Sequence, residues 1–285
     1  MSMNGASQTI LKIIVTIIGV IIAASLAYPL GFIIAQSIIG RGNIILTSLG
    51  KLAEYGVSLD SYIRVISDRV FQTCLLNTLI VAVITTIIAI FIIIPAGYAF
   101  SRFEFLGKNT LLYYYLIVSQ VGGGLGIIAV LALYIFFYRM TAYGLNLMQI
   151  YILPFVYASG MVPFQTWLVK SYFDQLPRSL DEAAFIDGAN WFEIIFRVIF
   201  PASKAAFIIV LLFGFMGAWG EFFIAGIFNL KTLGWYLYIQ LTGQAGLQDV
   251  SLYAAASILY ATPIIILFIL SQKYIGEAYR LGLKG

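Results

Sequence analysis

The polar stretch Pro177-Arg178-Ser179-Leu180-Asp181-Glu182-Ala183-Ala184-Phe185-Ile186-Asp187-Gly188-Ala189 interrupts a chain otherwise dominated by apolar runs. Ser179 followed three residues later by Glu182 has the spacing of a capping box, in which a serine oxygen and a glutamate side chain satisfy the exposed N–H groups of a helix start. Pro177 marks the break before it, so a short helix is expected from Leu180. Gly188 stands where a glycine closes a helix in the left-handed conformation, and Asn190-Trp191-Phe192-Glu193 repeats the capping spacing for a second helix running toward Pro201. The chemistry this supports is recognition: Glu182 offers negative charge to a basic partner, and Ala183 and Ala184 allow close approach to a short, rigid helix. The competing reading is a plain water-facing loop with two capped helices.

A second candidate is Glu221, the only ionisable residue clearly inside an apolar run, in Gly217-Ala218-Trp219-Gly220-Glu221-Phe222-Phe223. A carboxylate in the membrane is costly and marks a functional site by default, so Trp219, Glu221 and Phe222 are candidate pathway residues. Sugars suit that pairing, because hydroxyls donate to a carboxylate while C–H faces lie on aromatic rings. An interhelical or subunit-interface polar contact is the alternative. No lysine or arginine lies mid-span to hold an anion. Gln120-Val121-Gly122-Gly123-Gly124-Leu125-Gly126 is not a nucleotide loop, since no strand precedes it and no Gly-Lys-Ser/Thr follows. It fits close helix packing or a flexible point in a span.

Catalytic constellations are missing from the sequence. There is no histidine, so histidine-based catalysis and the commonest metal ligand drop out, and the single cysteine, Cys74, makes no intrachain disulfide. No G-x-S-x-G, H-E-x-x-H or mid-span aspartate pair is present. If ATP is used, another subunit binds it. With 285 residues, 62% hydrophobic and 10% charged, the chain departs from soluble composition and is expected to be an all-α, polytopic membrane helical bundle in one transmembrane domain over 1–285.

Six spans are expected to position these residues: Ile10–Ile39, Val70–Phe100, Leu111–Phe137, Leu147–Val169, Ala205–Phe228 and Leu252–Leu270, each near or above the roughly 20 residues a bilayer requires. The first run exceeds the apolar core of about 7–15 residues found in a signal peptide and is read as retained. The segment 40–69 is polar, with Ser58–Tyr62 able to start a surface helix. Lysine and arginine placement sets the orientation. With both ends cytoplasmic, Lys12, Arg102, Lys108, Lys170, Arg178, Arg197, Lys204, Lys273, Arg280 and Lys284 lie inside, against Arg41, Lys51, Arg64, Arg69, Arg139 and Lys231 outside. Pro29, Pro95, Pro154, Pro163 and Pro263 fall within spans, as bends beside a water-lined pathway or as packing kinks.

Glu182-Ala183-Ala184, Gly188 and Val198-Ile199-Phe200-Pro201 together resemble the EAA loop of ATP-binding-cassette importer permeases, E-A-A-x3-G-x9-I-x-L-P. Val198 and Phe200 replace the usual Ile and Leu and keep the apolar character. Leu76-Asn77-Thr78-Leu79, Gly97-Tyr98-Ala99-Phe100-Ser101-Arg102-Phe103 with Gly107-Lys108, and the end from Gln272-Lys273-Tyr274 to Gly285 resemble the carbohydrate subgroup, specifically the smaller, maltose-permease-like subunit. This likeness runs from Ser58 to the C-terminus.

The resemblance implies a type I importer with a core at 70–275, a coupling loop at 174–200 and a tail at 276–285. It implies two permeases, two ATPase subunits that bind ATP and Mg, an extracellular solute-binding protein, a prokaryotic cell membrane, no cofactor in this chain and no nucleic acid. By position it assigns ATPase coupling to Asp181, Glu182, Ala183, Ala184, Asp187 and Gly188. A non-carbohydrate importer, or a self-contained channel or scaffold, is the competing expectation.

Overall fold

The computed structural model describes residues 5–40, 45–124, 126–242 and 249–282. Its regular structure is helical, and among the described residues the only bridge is an isolated antiparallel one between Ile39 and Val57. In chain order, α1 (Gly5–Ser37) is followed by α2 (Leu52–Tyr55), α3 (Asp60–Ser67) and α4 (Arg69–Arg102). Then come α5 (Lys108–Gly124), α6 (Gly126–Thr141), α7 (Leu153–Phe173) and α8 (Ser179–Ile186). Next, α9 (Trp191–Glu193) winds directly into a π-helical segment, Ile194–Ile199, and α10 (Phe200–Ala202). Last are α11 (Lys204–Gly220), α12 (Phe223–Ile227), α13 (Leu233–Leu241) and α14 (Val250–Gly282).

Five helical stretches among the described residues are long and apolar enough to cross a membrane: Leu11–Ser37, Arg69–Arg102, Ile150–Phe173, Lys204–Ile227 and Val250–Lys273. These match five of the six expected spans. The third expected span, Leu111–Phe137, is helical up to Gly124 in α5 and from Gly126 in α6, with residue 125 outside the described residues. Pro29, Pro95, Pro163 and Pro263 lie inside helices, whereas Pro154 occupies the first turn of α7, where its missing N–H is no loss. In the expected C-terminal tail, α14 continues to Gly282, and residues 283–285 are outside the described residues.

Packing divides the chain into two compact units, Met1–Arg69 with Leu237–Thr262, and Val70–Tyr236 with Pro263–Gly285. In the first, Ala35, Ile39 and Leu46 form a small core with Phe32, Leu52 and Tyr55. Gln36 ties three segments together, donating to Ser251 Oγ at 3.1 Å and accepting from the Leu46 amide at 2.8 Å. Asp249 accepts from the Leu252 amide at 3.0 Å, capping α14, and ion-pairs with Arg64 of α3 at 2.8 Å. The surface helix expected from Ser58 is found as α3, with Ser58 Oγ accepting from the Asp60 amide. Along α1 none of the apolar window is buried within the chain.

The second unit holds the larger core: Ala89, Ile93, Ile94 and Tyr98 of α4, Val169 and Phe173 of α7, Ala184 of α8, Ile194, Ile195 and Ile199 of the π segment, and Ala206, Phe207 and Val210 of α11. A close approach of α4 to α7 is set at Gly97, where an added Cβ would lie 2.7 Å from Val169 Cγ1 and 3.3 Å from the Lys170 nitrogen. Only glycine permits that backbone separation. At the end of α4, Ser101 Oγ donates to Asp174 Oδ1 at 2.8 Å, and the Arg102 guanidinium donates to the carbonyls of Phe173 and Leu176, each at 3.2 Å. Arg102 thereby satisfies carbonyls at and just beyond the C-terminus of α7, where a cation also complements the helix dipole.

A candidate coupling site

Helix α8 starts earlier than the sequence spacing predicts. Arg178 already has helical dihedrals, φ −64° and ψ −23°, and its carbonyl accepts from the amides of Asp181 and Glu182. The Glu182 amide, which a Ser179 capping box would use, is therefore occupied, and Ser179 is the first helical residue with no side-chain cap. The expected capping box at Ser179 is not formed. Its absence leaves the Glu182 side chain exposed rather than folded back on the backbone.

The end of α8 follows expectation. Gly188 has φ +79°, the Gly188 amide donates to Phe185 O and the Ala189 amide to Ala184 O, each at 3.0 Å. That pair of bonds is the Schellman arrangement, and it satisfies carbonyls that would otherwise be orphaned at the helix end. The second capping box is also formed: Glu193 N–H donates to Asn190 Oδ1 and Asn190 N–H to Glu193 Oε2, both at 3.0 Å. Ser179→Ala is accordingly expected to change thermal stability by less than about 0.5 kcal/mol. Asn190→Ala should lower it by about 1 kcal/mol. Parallel melts of the two variants in detergent check the ranking, which would be reversed or erased if Ser179 were the cap.

The six predicted coupling residues divide between two faces. Glu182, Ala183, Asp187 and Gly188 face outward, joined by Phe185 and by Ile186, which is 87% exposed. Asp181 and Ala184 face inward. Ala184 packs into the core, while Asp181, only 7% exposed, accepts from the Tyr98 hydroxyl at 2.6 Å and lies 2.8 Å from Arg102 Nε. This second contact is an ion pair rather than an aligned hydrogen bond. Asp181 is thus not available to a partner. Trp191 closes the turn, with its ring 4.4 Å from Phe185, 4.8 Å from Phe103 and 6.3 Å from Tyr98, centroid to centroid. Tyr98, Arg102, Phe185, Ile186 and Trp191 join the site through contacts that the spacing of the polar stretch does not reveal. Nearby, Lys108 hydrogen-bonds the Glu104 carboxyl and holds it below the usual carboxylate range.

The candidate pathway residues lie apart from α8 in sequence and differ in exposure. Trp219 is 1% exposed and stacks on Phe215 at 5.3 Å. Phe222 is exposed, with Gly234 so close that an added Cβ would lie 2.3 Å from Phe222 Cβ. Glu221 lies between α11 and α12 in extended conformation, φ −75° and ψ 123°. Its Oε1 accepts from the Ile224 amide at 2.7 Å, and its Oε2 accepts from the Ala225 amide and the Tyr157 hydroxyl. Both oxygens have protein donors, which is the interhelical contact weighed beside the solute contact. The spacing from Glu221 to Ile224 is the capping interval itself, concealed in the sequence by the apolar residues around it.

A membrane-spanning helical chain that turns a short, outward-facing acidic and apolar helix away from its core is what comparison with known proteins has to account for. The family described as binding-protein-dependent transport system inner membrane component matches residues 56–280. The chain belongs to that family. It is therefore a multi-pass membrane component of a transport system. Among characterised permeases, the trehalose/maltose transport system permease protein MalG of Thermococcus litoralis is 33% identical over 291 residues, covering 98% of this chain and 99% of the relative. The maltodextrin transport system permease protein MalD of Streptococcus pneumoniae is 32% identical over 256 residues, covering 86% and 85%. A crystal structure of a bacterial ABC transporter involved in the import of the acidic polysaccharide alginate contains a chain that superposes with a TM-score of 0.71 at 23% identity, covering 96% of this permease and 99% of that chain. At that identity the likeness concerns the fold.

Proposed function

We propose that this permease is one of two transmembrane subunits of an ATP-driven importer for a neutral oligosaccharide, working with two ATPase subunits and an extracellular solute-binding protein. The observation that carries this reading is the outward face of α8: Glu182, Ala183, Phe185, Ile186 and Asp187 present charge and apolar surface together on a helix closed at Gly188. A stretch of polar chain with no partner has no reason to expose Phe185 and Ile186 side by side, and an apolar patch rimmed by charge is the mark of a docking surface. Nucleotide and Mg binding fall to the ATPases, and this chain performs no hydrolysis. The carbohydrate substrate is supported by the maltodextrin and trehalose/maltose relatives, and neutrality by the sequence, which places no lysine or arginine mid-span.

In this reading α8 is cytoplasmic and both termini lie on the same side. Single cysteines in a Cys74→Ala background test it: a cysteine at Asp60 is expected to react with an impermeant reagent from outside, and one at Ile186 only after permeabilisation. Reaction of both from one side rejects the orientation. The substrate is tested by uptake in a strain lacking the gene. Import of maltodextrin-type sugars is expected to be lost while phosphate and peptide import continue, and the opposite pattern rejects the carbohydrate assignment. Purification of the chain with a bound ATPase separates an importer subunit from a self-contained channel.

A further inference from the structure

Helix α8 turns most of its surface outward, so whatever it receives from a partner must pass inward through few contacts. Only Asp181 and Ala184 of α8 are buried. Ala184 offers a methyl group to a core of interchangeable apolar contacts. Asp181 is different in kind: it is the one charged residue among the buried polar residues described, and its partners are fixed in direction. The Tyr98 hydroxyl donates to Oδ1 at 2.6 Å, and Arg102 Nε stands 2.8 Å from Oδ2.

The other face of the same guanidinium extends the connection. Arg102 Nη1 donates to Phe173 O and Nη2 to Leu176 O. One planar group on the last turn of α4 therefore holds the end of α7, the segment after it and the first turn of α8. Gly97, one residue before Tyr98, lets α4 and α7 touch backbone to side chain, which binds those two helices into a single body at this point. Ser101 to Asp174 adds a further link between the same two elements. A buried ion pair is weak evidence for stability, because apolar residues of similar volume serve a core at least as well. Its directional geometry is what an apolar replacement would lack.

Resting on the coupling reading above, we propose that Tyr98, Asp181 and Arg102 form a force-transmitting clasp: positioning residues through which displacement of α8 by an ATPase moves the inner ends of α4 and α7 as one body. None of the three touches solute or nucleotide. Their contribution is to make a shift of α8 and a shift of α4 the same event, so that ATP hydrolysis is spent on transport rather than on rocking a loose helix. The clasp therefore governs solute moved per ATP, while the outward face governs whether the ATPase binds.

The test uses the whole complex in proteoliposomes with its binding protein. Tyr98→Phe removes one hydroxyl, and Asp181→Asn removes the charge with nearly the same shape. Both are expected to retain stoichiometric ATPase and to hydrolyse ATP, while solute taken up per ATP falls by about tenfold, a shift typical of coupling energies between sites. The double variant should be no worse than Asp181→Asn, because the residues act as a unit. Spin labels at exposed Ile92 on α4 and exposed Ser179 at the start of α8, outside the docking face, supply a readout that stability alone does not move. Their separation should be the same in nucleotide-free and ATP-trapped complex, and should broaden and change with nucleotide in Asp181→Asn. Tyr98→Phe or Asp181→Asn with wild-type uptake per ATP, or an Asp181→Asn distance that stays fixed between states, overturns the clasp. Slower hydrolysis with an unchanged ratio does the same, since it marks a structural role. Failure of the wild-type chain to bind an ATPase at all overturns the coupling reading instead, and the clasp with it.

Discussion

Glu182→Gln and Gly188→Val are expected to reduce solute uptake by about tenfold or more at wild-type expression, by two separate routes. Glu182 is exposed and takes no part in capping α8, so glutamine leaves the helix as it is and removes only the charge offered to a basic partner. ATPase bound per permease should therefore fall. Gly188 has φ +79° with open space around it, so the penalty for valine is conformational rather than steric. A left-handed β-branched residue is disfavoured by roughly 1–2 kcal/mol, enough to displace the Schellman turn that sets the angle between α8 and α9. Gly188→Asn, which tolerates that conformation better, should retain most uptake. The quantities to measure in proteoliposomes are bound ATPase, ATP hydrolysis and uptake. Wild-type uptake in both Glu182→Gln and Gly188→Val would remove α8 as the coupling element.

The second large effect is expected at Glu221, and on stability. Glu221→Leu takes the acceptor from the Tyr157 hydroxyl and from the amides of Ile224 and Ala225 at once. A buried donor without a partner costs about 1–3 kcal/mol, and in a membrane there is little water to replace the lost acceptor. With Glu221 itself half-buried, a loss on the order of 4 kcal/mol is expected for the three together. Glu221→Gln keeps one acceptor oxygen for the Ile224 amide and can donate its NH2 to the Tyr157 hydroxyl, so it should melt much closer to wild-type than Glu221→Leu. Thermal unfolding of the two variants in detergent gives the comparison, and uptake in Glu221→Gln decides the role. Retained uptake assigns the carboxylate to holding the α11–α12 break, whereas uptake lost at an unchanged melting temperature returns it to the solute pathway.

What could be seen in the sequence followed from how local each interaction is. The Gly188 turn and the Asn190–Glu193 box are decided within five residues and need nothing from elsewhere. Ser179–Glu182 has the same spacing and yet no box, because Arg178 entered the helix first and its carbonyl took the amide in question. Spacing names the residues able to cap a helix; the preceding residue's dihedrals determine whether they do. Asp181 misled for a different reason. An acid in a polar stretch reads as water-facing, and its burial depends on Tyr98, 83 residues away. The apolar runs located five stretches of sufficient length, since bilayer thickness leaves little freedom there.

The π-wound turn at Ile194–Ile199 bears on how this chain tolerates changes of length. Hydrogen bonds reaching one residue further than in an α-helix accommodate an additional residue without lengthening the axis by a full step. Removing one residue here would let the segment rewind as an ordinary α-helix while the helices on either side keep their facing. The interval of nine residues between Gly188 and Val198 thus carries one residue of slack: a single deletion is absorbed by rewinding, an insertion must widen a turn that is already wide, and side chains are exchangeable where they are exposed, as at Arg197.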